Sequence, residues 1–242
     1  MFLGIGGEGL SYFLDKPLEL VSFCKAARSL GFDFLDTSPA YHNAQVDRSL
    51  GRYVLPNVDY RVISKSGLQY YDLGTFRNRI CNKSGRVGSR FKVVSPGWAN
   101  GFDAEILSIE IEASMSRLSQ QKIDSFLLHS VPSTQPLDSL IQVLRREKAS
   151  GKIGSIGLSV DQDTEKDLSW ADMLQVPTSL RTCQMVRNFK GKIVFNGIFR
   201  ENRENPYKVI EELLEGYPEQ SLVVGSKNLA HLEQLSELIK GH

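Results

Sequence analysis

The chain has 242 residues, 41% hydrophobic and 24% charged, the balance of a globular protein that can bury a large core rather than of a disordered one. A formal net charge of +1 gives no global reason to expect nucleic acid or a membrane surface as partner. Cys24, Cys81 and Cys183 are scattered, without a CxxC pair or a histidine at metal-ligand spacing, which fits reduced thiols in a cytoplasmic protein. The opening MFLGIGGEGLSYF lacks a basic n-region, and no run reaches the roughly 18 apolar residues of a membrane helix.

Short apolar runs alternate with segments of helical period, the pattern of βα units around a parallel sheet. Phe2 to Ile5 is predicted as the first strand. Pro17 to Leu30 follows as its helix, with proline suited to the first turn and apolar residues at 18, 20, 21, 23, 24 and 27. Phe32 to Leu35 reads as strand two, Ala44 to Tyr53 as a helix and Arg61 to Ser64 as strand three. A long irregular stretch, Gly67 to Gly101, precedes a helix at Ala104 to Leu118 and a strand at Ile123 to Leu128. The periodicity then predicts a helix at Leu137 to Ala149, a strand at Ile153 to Leu158, a helix at Thr164 to Leu174 and a sixth strand at Leu180 to Val186. Ile193 to Ile198 is strand seven, Pro206 to Glu215 a helix, Leu222 to Val224 strand eight and Leu229 to Ile239 the last helix. Only Arg187 to Lys192 separate strands six and seven, too few for a parallel crossover, which usually takes about ten residues or more. Either the barrel is distorted there or a strand is misplaced. The 242 residues suit a single α/β domain of the (β/α)8 TIM-barrel class, which typically needs about 250 residues.

Chemistry concentrates at the strand ends. Asp36 closes one apolar run with Tyr41 five residues on, Lys65 closes RVISK, and His129 closes IDSFLLH. In a parallel barrel such positions converge on one mouth, where catalysis takes place. Singly, each has a bland reading: Asp36 as a turn cap, Tyr41 as a packing aromatic, Lys65 as a solvated strand end, His129 as a satisfied half-buried histidine. Together they form a proton-donating set. The glycines Gly4, Gly6 and Gly7 lack dinucleotide-fingerprint spacing and are read as permitting a tight first turn.

Four segments, in order, resemble the aldo-keto reductase family: GFDFLDTSPAYHNAQVDRSLG, IEASMSRLSQQKIDSFLLHSVP, GKIGSIGLSV and SLVVGSKNLAHLEQL. The resemblance implies a (β/α)8 barrel that interconverts a carbonyl and an alcohol with a nicotinamide cofactor, NADP(H) rather than NAD(H). It makes Tyr41 the general acid, Lys65 with Asp36 the pair that lowers the phenol pKa, and His129 the group that orients the carbonyl. It places Ser159 and Gln184 on the nicotinamide carboxamide, Phe195 against the ring, and Gly225, Ser226, Lys227 and Asn228 on a phosphate at a helix start. An aromatic in an apolar strand is otherwise a core residue, which is the competing reading of Phe195.

The chain departs from that family at Val160, where an Asn is usual, at His231, where an Arg is common, and at Leu235. It also lacks the usual N-terminal hairpin, the helix between strands six and seven, and most of the loop after strand seven, reduced to Phe199 to Asn205. An intact acid–base set beside an eroded cofactor side leaves two alternatives open: a cofactor-free acid–base enzyme such as an epimerase, lyase or cyclase, and a non-catalytic ligand-binding barrel. The stretch after strand three carries Arg77, Arg79, Lys83, Arg86, Arg90 and Lys92 with no Asp or Glu between Leu73 and Phe102. This is either a solvated surface loop or a loop overhanging the barrel mouth, whose Arg86 and Arg90, with Trp98, would meet a small, anionic carbonyl or sugar substrate.

Overall fold

The computed structural model describes residues 1–68, 70, 102–132 and 134–241. Eight parallel strands pair in sequence order and close into a barrel. They are β1 Phe2–Gly6, β2 Phe32–Asp36, β3 Arg61–Ser66, β4 Ile123–His129, β5 Ile153–Ser159, β6 Met173–Pro177, β7 Lys192–Asn196 and β8 Ser221–Val224. The helices around them are α1 Pro17–Ser29, α2 Gln45–Ser49, α3 Ala104–Leu118, α4 Asp138–Ala149, α5 Gln184–Asn188, α6 Pro206–Gly216 and α7 Leu229–Lys240. Single helical turns at Gly7–Leu10 and Ile198–Glu201 follow β1 and β7.

Local chemistry sets the ends of these elements. Asp103 caps α3 by accepting from the N–H groups of Glu105 (2.8 Å) and Ile106 (3.2 Å). Asn228 caps α7 through the Ala230 N–H at 3.1 Å, and Pro17 and Pro206 occupy first turns where no amide donor is needed. Gly151, at φ +83°, turns the chain from α4 toward β5, a conformation that favours glycine.

The sixth unit differs from the sequence expectation. Residues 164 to 172 are not helical, and the sixth strand is Met173–Pro177. Asp163 and Asp167 accept from the following amides of Thr164 and Ser169, both at 2.9 Å, local bonds that compete with a helix. The segment expected as the strand, Leu180 to Val186, is instead part of a 3-10 turn at Thr178–Leu180 and the start of α5. A strand was therefore misplaced and the barrel is not distorted. The link between strands six and seven runs over residues 178–191 and carries a short helix; the connection without a helix is the one from β5 to β6.

Alternation along the strands sorts the barrel interior into layers. Register pairs Gly4 with Phe34, Leu127 with Gly157, Gly157 with Met173, and Gly4 with Val223. The inward side chains of this middle layer, Phe34, Ile63, Leu127, Met173, Val194 and Val223, form an apolar cluster separate from the larger core between sheet and helices. Glycine is needed at two places there. A Cβ on Gly4 would sit 2.2 Å from the Phe34 ring, and one on Gly157 would sit 1.8 Å from the Met173 carbonyl oxygen. One step toward the C-terminal ends, the same parity turns Asp36, Lys65, His129, Ser159, Gln175 and Asn196 inward.

Candidate active site

These residues surround a cavity of about 450 Å³ at the C-terminal mouth, lined among others by Asp36, Tyr41, His129, Ser159, Gln175 and Gly225. Lys65, 1% exposed, lies beneath it. Its Nζ donates to Asp36 Oδ1 at 2.5 Å and to the Thr37 carbonyl at 3.3 Å, and stands 5.4 Å from the centre of the Tyr41 ring. Tyr41 meets His129 edge-on, with ring centres 6.4 Å apart, and Ser38 Oγ lies 3.4 Å from His129 Nδ1. The four residues expected to form one site are thus brought together by three different strands and one loop.

Tyr41 is held by an unusual turn. His42, Asn43 and Ala44 are consecutive left-handed residues, with φ of 48°, 53° and 63°, a run that costs non-glycine residues conformational energy. It is fixed by bonds from Tyr41 N to Ser38 O (2.9 Å) and from Ala44 N to Pro39 O (2.8 Å). Behind it lies a buried network that sequence reasoning missed. Thr37 Oγ1 donates to Asp47 Oδ1 at 2.6 Å, and Arg117 stands 3.5 Å from Asp47 and 3.7 Å from Glu110. Burial raises the Asp47 carboxyl above its ordinary range despite the opposing pull of Arg117. Thr37 therefore ties the Lys65 contact to a second charged layer.

The electrostatics set the protonation states. Burial pulls the Lys65 ammonium down, but the Asp36 carboxylate and Tyr41 outweigh it, and the group ends above its ordinary 10.5. His129 is pushed down to about 3, by burial first and by Lys65 second, so at neutral pH it is an uncharged imidazole. Tyr41 is raised above 10. Burial is the main cause, Lys65 opposes it, and Asp36 and Glu8 add to it. Lys65 does act on the phenol in the expected direction, but burial is the larger effect.

The cofactor-side expectations divide. Ser159 ends β5, is buried and lines the cavity, where its Oγ donates to Gln175 Oε1 at 2.9 Å. Gln184 does not reach the cavity. It lies exposed on α5, donates to Asn188 Oδ1 at 2.8 Å and lines a different groove with Asp163 and Leu168. The inward amide of this unit is Gln175, displaced from notice by the misplaced sixth strand. Phe195 is fully buried on the outer face of β7, edge-on to Tyr217 with centres 5.1 Å apart, so it is a core residue and not a face of the cavity. Its neighbours Asn196 and Phe199 line the cavity instead. Gly225 does so too, and the start of α7 follows: Ser226 Oγ accepts from Asn228 N at 3.1 Å and sits 3.4 Å from His231 Nδ1, while Lys227 Nζ lies 4.2 Å over the Tyr12 ring. His231 in turn faces Phe199, ring centres 5.8 Å apart. Val160 is buried and lines a neighbouring groove rather than the cavity. Arg86, Arg90 and Trp98 lie outside the described residues.

Eight parallel strands close into a barrel whose C-terminal mouth gathers Asp36, Tyr41 and His129 around one cavity, with Lys65 beneath them, at the end where barrels of this class carry their sites. The sequence profile of the aldo/keto reductase family matches residues 3–196, and the chain belongs to that family. Membership supports an oxidoreductase of carbonyls and alcohols. Solved structures share the fold. A Pseudomonas aeruginosa protein described as a candidate aldo-keto reductase is 22% identical, with TM-score 0.74, over 99% of this chain and 90% of its own. An aldo-keto reductase from Bacillus halodurans, solved in its holo form, is 14% identical with TM-score 0.69 over 98% and 86%. One from Klebsiella pneumoniae, solved with NADP and acetate, is 15% identical with TM-score 0.63 over 98% and 85%. Among the described residues no helix is long and apolar enough to cross a membrane.

Proposed function

We propose that this protein interconverts a carbonyl and an alcohol with NADP(H), and that Tyr41 moves the proton. The observation that carries the reading is the buried Lys65–Asp36 pair beneath Tyr41, with His129 facing the same cavity. In the reducing direction the Tyr41 hydroxyl donates its proton to the carbonyl oxygen. The Lys65 ammonium, fixed by Asp36, stabilises the phenolate left behind, and neutral His129 orients the oxygen through a ring N–H. In the oxidising direction the same groups return the proton. A nicotinamide cofactor, when bound, would supply or accept the hydride, with Gln175, Ser159 and the residues before α7 as the groups that would hold it.

The chain's own residues suit that cofactor. Among the described residues Gln175 Nε2 is buried without a hydrogen-bond partner, while its Oε1 is taken by Ser159, which leaves a donor for a carboxamide oxygen. A Cβ on Gly9 would sit 3.1 Å from Ser226 N, so the turn after β1 packs directly on the segment before α7, and a Cβ on Gly225 would meet nothing within 4 Å. Gly225, Ser226, Lys227 and Asn228 are the residues that would hold phosphate, with Lys227 the basis for preferring NADP(H). The NADP complex of the Klebsiella pneumoniae protein agrees with that preference. The orphaned Gln175 amide favours hydride chemistry over a cofactor-free acid–base reaction.

The substrate is a small carbonyl compound or sugar. The described rim presents Glu8, Asp161 and the Arg200 guanidinium, the last already paired with Glu201 at 3.1 Å; the role of Arg86 and Arg90 toward an anionic substrate group rests on the sequence alone. The test is a titration with NADPH and NADH followed by a carbonyl screen with wild type and Tyr41→Phe. Saturable NADPH binding by both proteins is expected, with turnover about 10²–10⁴-fold lower in the variant. Near-wild-type turnover by Tyr41→Phe would remove Tyr41 as the acid. Absence of binding to either cofactor would return the protein to acid–base chemistry without hydride.

A further inference from the structure

The parity that gathers the catalytic groups at one mouth also orders the other. Below the apolar middle layer, Arg61, Ser125, Ser155, Lys192 and Ser221 project inward from five strands and line a separate cavity of about 220 Å³, whose floor is Phe34, Ile63, Met173 and Val194. This end of a parallel barrel is ordinarily occupied by packed apolar side chains and serves stability. Here it is lined by three seryl hydroxyls, two cations and the carboxylate of Asp124.

The polar groups are not consumed by one another. Ser221 and Ser125 are 1% and 5% exposed, yet none of the three seryl side chains has a hydrogen-bond partner among the described residues. Arg61 is ion-paired with Asp33, and Asp124 accepts from the Val62 N–H at 2.8 Å through Oδ2. Lys192 is the exception among the charged residues of this mouth. No carboxylate of the described residues lies within 4.0 Å of its Nζ, and the contact it makes is with the face of the Phe2 ring at 4.8 Å. Burial and the Arg61 charge push its ammonium below the ordinary range, with Asp33 offsetting only part. Among the described residues Lys192 is thus a half-buried cation with no carboxylate in contact, sharing its cavity with three seryl hydroxyls that can each donate, while Asp124 spends Oδ2 on the Val62 N–H.

We infer that the N-terminal mouth of the barrel is a second binding site, for a single small tetrahedral oxyanion of the inorganic phosphate class, held by Lys192 with Ser125, Ser155 and Ser221. The cavity is smaller than the roughly 300 Å³ at which pockets for drug-sized ligands begin, so it suits an ion and not a nucleotide. The site is distinct from any phosphate subsite at the start of α7, which lies at the opposite end of the strands, and it does not depend on the proposed reaction. Its occupant would link β4, β5, β7 and β8 and so stabilise barrel closure.

The test uses inorganic phosphate with the full chain, by calorimetry and thermal unfolding at constant ionic strength, with chloride as the matching salt. Wild type and Lys227→Gln, altered at the other mouth, are expected to bind saturably and to gain thermal stability. Lys192→Gln is expected to bind at least about tenfold more weakly and Ser155→Ala less severely, as befits a charged and a neutral donor. Equal binding by Lys192→Gln and wild type would overturn the inference. So would loss of binding in Lys227→Gln, which would move the site to the catalytic mouth, or no saturation up to about 20 mM, a free energy too small for a built site. If Lys192→Gln does not fold, the Ser125→Ala/Ser155→Ala pair decides: unchanged affinity there overturns the site.

Discussion

Replacing Lys65 by Met tests whether the centre of the site is a buried ion pair. Lys65 and Asp36 side chains are 1% and 5% exposed, and Nζ sits 2.5 Å from Oδ1. Methionine fills similar volume without the charge, leaving the Asp36 carboxylate buried and uncompensated, a situation that costs about 3–5 kcal/mol. Against a typical net stability of about 5–15 kcal/mol this is a large share. Urea unfolding at neutral pH should therefore show a much lower midpoint for Lys65→Met. Asp36→Asn in the same chain should recover part of the loss, because it removes the orphaned charge. The double-mutant cycle should return a coupling energy of at least about 2 kcal/mol, changing little with added salt since the pair is shielded from solvent. A loss below about 1 kcal/mol for Lys65→Met, or additivity of the two substitutions, would show that the pair is solvated and would refute the burial argument.

Three further outcomes follow from particular contacts. Gly157→Ala would place its Cβ 1.8 Å from the Met173 carbonyl oxygen, forcing β5 and β6 apart across a register of three pairs; a destabilisation of about 3 kcal/mol or more is expected by denaturant titration, and a neutral effect would contradict the register. His129 has a folded pKa of about 3 against 6.5 unfolded, so the unfolded state takes up the proton first: its contribution is intact above pH 6.5, is lost progressively from pH 6.5 toward 3, and His129→Asn should flatten the acid limb of the stability–pH curve, a curve of unchanged slope counting against it. For cofactor binding, Gln175→Ala should raise the KM for NADPH about tenfold while Gln184→Ala leaves it unchanged, and the reverse pattern would restore the original sequence assignment.

The expectations of position that the fold matches rest on short-range rules. Asp36, Lys65 and His129 were found because each closes an apolar run, and a parallel barrel turns the ends of such runs to one mouth. The misplaced sixth strand and Gln184 share one cause. Met173–Pro177 contains a polar Gln175 and ends in proline, so the run was absorbed into a helical reading, and the strand was placed instead on the apolar residues of Leu180 to Val186. With the strand displaced, Gln184 stood in for Gln175. Phe195 failed for a different reason, since chemical type alone does not say which side of a strand a residue takes.

Asp47 and Arg117 carried no local signal, because a carboxylate and a guanidinium on two helices read as surface charges until the helices pack. The sequence by itself determined the barrel class, seven of its strands and the gathering of Asp36, Tyr41, Lys65 and His129 at one mouth, because strand periodicity and charge at strand ends are local properties. Only the tertiary structure decided which side chains of β6 and β7 face inward, which charges are buried together, and that Lys192 and three serines share the opposite mouth. Those facts depend on register around a closed sheet, where a shift of one residue turns every side chain to the other face.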